Sequence, residues 1–130
     1  MRWLILIPLL FLNACLAKDL AEVRSSPPVQ TDTFPALYEQ LATCAKREIQ
    51  MDTWVMGQPD VHLTRERRGP LIRVFAIYAG SALFDLTFQP APSGQTLVQY
   101  RRGYDGYDSK EKTWSIMERC SSKTAAQVPP

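Results

Sequence analysis

Residues 82–89, Ala82-Leu83-Phe84-Asp85-Leu86-Thr87-Phe88-Gln89, alternate in a way that decides the fold class. Ala82, Phe84, Leu86 and Phe88 fall on one side of an extended chain, with Asp85, Thr87 and Gln89 on the other. A period of two marks a strand with one face against a core. Residues 71–79 just before it are apolar, aromatic and β-branched, interrupted only by Arg73, and read as a central strand. Gly80-Ser81 links the two strands. On the far side, Pro90-Ala91-Pro92-Ser93-Gly94 reads as a loop, after which Val98 and Tyr100 carry the apolar face into another strand. Upstream, Val61 and Leu63 alternate with His62 and Thr64, so residues 61–67 form a strand that turns at Arg68-Gly69-Pro70. The pattern predicts four antiparallel strands whose apolar face needs a cover.

Helices at either end supply that cover. Leu37, Tyr38, Leu41, Ala42 and Ala45 recur at three-and-four spacing, with Thr33 as N-cap and Pro35 in the first turn, and Gly57-Gln58-Pro59-Asp60 ends the segment. Residues 109–119 read as a last helix, with Trp114, Met117 and Cys120 on its apolar edge. Trp54, Trp114, Phe75, Phe84 and Phe88 are expected in the core. The fold class is α+β: an N-terminal helix, about four antiparallel strands and a C-terminal helix. The order is similar, in pattern only, to small helix-and-sheet periplasmic domains, including reduced relatives of helix-grip folds.

The first fifteen residues follow a different rule. Met1-Arg2 is a minimal basic start, and Trp3 to Leu12 (WLILIPLLFL) is charge-free and apolar. About ten residues match a signal-peptide core, whereas a spanning helix needs about twenty. Leu12-Asn13-Ala14-Cys15 follows and resembles a lipobox, the site at which bacterial lipoproteins are acylated on cysteine and cleaved just before it. The resemblance implies removal of residues 1–14, a lipid on Cys15 and attachment to a membrane. In a host with two membranes, Leu16 rather than Asp after the cysteine implies the outer membrane, facing the periplasm. The alternative is an ordinary secretory signal cut at another small residue, with Cys15 incidental.

The chain has three cysteines. Assigning Cys15 to lipid leaves Cys44 and Cys120 as a pair, and export would place them where a disulfide persists. Such a bridge would join the two helix ends and, by the chain-entropy model, contribute about 4 kcal/mol at most; the alternative is two buried thiols. Residues 15–33, with Ser25-Ser26-Pro27-Pro28 at their middle, read as the lipidated cysteine and a flexible tether. Residues 34–120 read as the domain and residues 121–130 as a disordered tail.

Charge is nearly balanced, a formal +2 at pH 7, which points to no nucleic-acid partner. Neither charge nor pattern specifies an oligomeric state. There is no CxxC, HExxH, GxSxG, P-loop or GxGxxG, so no catalytic residues, metal or cofactor are assigned. His62, the only histidine, reads as a partly exposed strand residue. Two surfaces stand out as candidates. Tyr104, Asp105, Tyr107 and Asp108, in the glycine loop 103–108, form a candidate partner-contact loop, or a plain polar turn. Arg65, Arg67, Arg68, Arg73, Arg101 and Arg102 form a candidate basic patch toward anionic lipid or an acidic polymer, or the charges of solvated strand faces. The expectation is a non-enzymatic envelope lipoprotein that binds or supports another envelope protein. The alternatives are a ligand-binding module with a cavity between sheet and helices, and an inhibitor or immunity protein that blocks its partner.

Overall fold

The computed structural model describes residues 19–55, 57–103 and 110–127. Five strands make one antiparallel sheet in the order β1-β5-β4-β3-β2, with β1 at Gln30–Phe34, β2 at Asp60–Arg65, β3 at Ile72–Tyr78, β4 at Ser81–Pro90 and β5 at Thr96–Arg102. Among the described residues, three α-helices accompany it: α1 at Leu20–Ser25, α2 at Tyr38–Met51 and α3 at Lys110–Gln127. The α+β class holds, with one strand more than the alternation predicts. Cys44 and Cys120 form a disulfide between α2 and α3, their Cα atoms 5.8 Å apart.

β3 and β4 are the middle of the sheet for the reason their sequences suggest. Val74 pairs with Leu86 and Ala76 with Phe84, and all four side chains are fully buried on the side covered by α2 and α3. Ala79 and Gly80 both take positive φ, at 50° and 80°, the two-residue geometry whose twist suits a hairpin. The register shifts between Ala76 and Ile77, leaving Leu83 as the extra residue of a bulge. Its carbonyl accepts the Gly103 N–H at 2.9 Å.

The expected helix start is corrected. Thr33 and Phe34 belong to β1 and pair with Leu97 and Thr96; α2 begins only at Tyr38, with Leu37 at its N-cap. A residue before proline is pushed toward extended backbone, so Phe34-Pro35 prolongs the strand. Beyond that point the helical spacing operates as read. Leu41, Ala42, Ala45 and Ile49 are fully buried, each large apolar one contributing about 1.5–3 kcal/mol. At the other end of α2, the Trp54 indole donates to the Ile49 carbonyl at 2.9 Å. Lys112 of α3 donates to the Thr53 carbonyl and lies 4.7 Å from the centre of the Trp54 ring. These contacts serve carbonyls and a helix dipole that would otherwise end unsatisfied.

The expected tail is corrected too. α3 runs through residues 121–127, with Ser121 and Thr124 buried. The largest change lies before the domain. Residues 20–25 are helical and residues 30–34 form an edge strand, so the folded part begins near Asp19 and much of the expected tether is built into it. Asp19 caps α1 by accepting the Glu22 N–H at 2.8 Å. Six residues make no stable helix alone; fully buried Val23 fixes α1 on the sheet.

Candidate functional site

The two sides of the sheet differ. On the α2–α3 side, Leu41, Ile49, Phe84, Phe88, Tyr100 and Met117 are fully buried and fill the layer between sheet and helices. The α1 side was expected to be solvated, and instead holds a buried charged cluster.

One row crosses four strands on the α1 side. His62 pairs with Phe75, Phe75 with Asp85, and Asp85 with Arg101. Asp85 is fully buried. Its Oδ2 accepts from Arg73 Nη1 at 2.7 Å, and Arg24 Nε of α1 is 3.5 Å from its Oδ1. Arg73 also donates to Glu66 Oε1 at 2.8 Å. The Arg24 guanidinium lies 5.1 Å from the centre of the Phe75 ring, a cation–π contact. Phe75, expected in the main core, thus packs on the opposite side of the sheet, between His62 and Arg24. Burial pushes the Asp85 carboxyl above its ordinary value, and the charges of Arg73 and then Arg24 offset part of that rise. Thr87 Oγ1, buried nearby on β4, has no hydrogen-bond partner among the described residues.

This cluster binds α1 to the sheet. Arg101 Nε adds a hydrogen bond to the Ser26 carbonyl at 3.0 Å, just past the helix end. The His62 ring stacks on Phe75 at 5.2 Å, with the β3 strand between it and Asp85. Two strand spacings are about 10 Å, too far for the hydrogen bond an acid–base pair needs.

The candidate arginines do not share one face. Arg73 and Arg101 belong to the α1 side, where Arg73 is committed to Asp85 and Glu66. Arg65 pairs in register with Ile72, on the α2–α3 side, and lies 3.7 Å from Glu39 of α2. Arg102 is opposite Phe84, also toward α2 and α3. Arg67 and Arg68 are exposed in the β2–β3 turn. Tyr104, Asp105, Tyr107 and Asp108 lie outside the described residues, as does Cys15 with the whole signal segment.

No local pattern in the sequence marks an open groove of about 660 Å³ lined by Glu39, Gln40, Thr43, Arg47, Arg65 and Lys123, with Cys44 of the disulfide beside it. Its charges are largely paired: Arg65 with Glu39 inside the groove, and Lys123 with neighbouring Glu48 at 3.1 Å. Helical spacing places Glu39, Thr43 and Arg47 on one stripe of α2, but the approach of β2 and α3 to that stripe is a tertiary fact. No helix among the described residues is long and apolar enough to cross a membrane. No known family matches this chain, and no curated protein matches it either.

Proposed function

We propose that this protein is a lipid-anchored lipoprotein of the cell envelope, acylated on Cys15, whose domain binds or supports another envelope protein without catalysing a reaction. In a host with two membranes it belongs to the outer one and faces the periplasm. The partition of its cysteines carries this proposal. The two cysteines of the folded domain are joined to each other, which leaves the third at the end of Leu12-Asn13-Ala14-Cys15. A disulfide that staples two helices suits an oxidising compartment, and a signal-like apolar segment is the route to one. A non-enzymatic role is favoured by the commitments of the polar side chains: Asp85, Arg73 and Arg24 hold one another, and His62 holds Phe75.

Labelled palmitate tests the anchor. The wild-type chain should take up label and fractionate with membranes, whereas Cys15→Ser should do neither. Equal labelling of both would overturn the proposal.

A further inference from the structure

Among the described residues, α1 is the element nearest to Cys15 in the sequence, and the chain between them is short. From Cys15 to Leu20 is five residues, about 17 Å at full extension. Had residues 16–33 been free, Phe34 could have stood about 65 Å from the lipid. The difference is set by α1 and β1. Val23 is fully buried, Arg24 pairs with Asp85, and Arg101 bonds the Ser26 carbonyl, so α1 is docked on the sheet and is not a free leader. A domain of this size has a radius of gyration of about 13 Å. A reach of about 17 Å is too short to wrap the chain around the domain to its far side.

Building on the acylation proposed above, we infer that α1 is a fixed spacer that seats the α1 side of the sheet against the lipid bilayer. The α2–α3 layer and its groove then face away from the membrane. The surface next to the lipid includes exposed Ala21 and Glu22 of α1 and Thr31 and Thr33 of β1. Thr31 pairs with Gln99 in the row that contains Thr87 and Arg73, which places it on the α1 side. Gln50 is exposed on α2, on the opposite layer.

The test uses the acylated, disulfide-intact protein in vesicles of phosphatidylethanolamine and phosphatidylglycerol that carry a headgroup quencher. A fluorophore is placed through Thr31→Cys in one sample and Gln50→Cys in another. Quenching should be severalfold stronger at Thr31; equal quenching, or the reverse order, would overturn the orientation. Inserting about ten Gly/Ser residues between Lys18 and Asp19 adds about 33 Å of reach without touching the fold. It should abolish most of the difference between the two sites, and an unchanged difference would overturn the role of the spacer. Failure of the acylated protein to join vesicles at all would instead refute the anchor on which the inference rests.

Discussion

Asp85 and Arg73 meet at 2.7 Å on the α1 side of the sheet, with the carboxylate sealed and the arginine side chain only 18% exposed. Breaking a buried pair by removing one partner leaves an uncompensated charge and typically costs about 3–5 kcal/mol. Arg24, on the opposite side of the carboxylate, softens that loss. Arg73→Met should therefore lower unfolding free energy in urea by about 3 kcal/mol. A loss within the range of an exposed pair, below about 1 kcal/mol, would show that water reaches Asp85.

Acid should move this contribution in a defined direction. Burial raises the folded-state Asp85 carboxyl above its ordinary value of 3.8. Between the unfolded and folded values, the native state therefore holds a proton that the unfolded chain has released. The associated stabilisation is fully present below the unfolded value and is lost as pH rises through the folded one. Wild type should gain stability relative to Asp85→Asn as pH falls from neutral toward about 4. Urea midpoints of the two proteins across that range measure it, and a constant difference would contradict it.

The disulfide closes a loop of 76 positions. Loss of this constraint on the unfolded chain is worth about 4 kcal/mol at most. The double variant Cys44→Ala/Cys120→Ala should unfold at a markedly lower urea concentration, and a reductant should affect wild type in the same direction while leaving the variant unchanged.

Gly103 is required by close approach alone. A Cβ there would sit 1.9 Å from the Ala82 carbonyl oxygen, a backbone atom held in β4. Gly103→Ala must push β4 and the end of β5 apart and strain the Gly103–Leu83 hydrogen bond. Overpacking of this kind costs about 1–3 kcal/mol, so thermal unfolding should come several degrees earlier.

α1 should be the first element to open. Its order depends on one buried apolar side chain, Val23, and on Arg24. Val23→Ser should raise amide hydrogen exchange across residues 20–25 while β3 and β4 stay protected. Loss of protection throughout the sheet would mean that α1 is part of the main cooperative unit.

The predicted elements divide by how local their cause is. β3 and β4 were legible because alternation and β-branching act within each strand, and the two meet across a two-residue turn. α2 was legible along its buried stripe but not at its start, where the pairing of Phe34 with Thr96 extends the strand past the expected cap. β1 was not legible: Gln30-Thr31-Asp32-Thr33-Phe34 is polar apart from its last residue, as suits an edge strand. Of the candidate site, the Cys44–Cys120 pairing was readable only by assigning Cys15 to lipid, with two buried thiols as the alternative. The groove beside it was not, because its lining comes from α2, β2 and α3 together.

By itself, the sequence determined the α+β class, the middle strands and the two main helices, each of which follows from periodicity. It offered a Cys44–Cys120 pair with two buried thiols as the alternative, and the tertiary structure shows the bond. Only the tertiary structure decided the fate of Asp85 and of residues 20–34. In an alternating strand, a carboxylate opposite the core reads as solvated, and nothing local says otherwise. It is buried because a six-residue helix, too short to be stable alone, folds back over it and supplies Arg24. Burial by a distant segment leaves no period in either stretch of sequence.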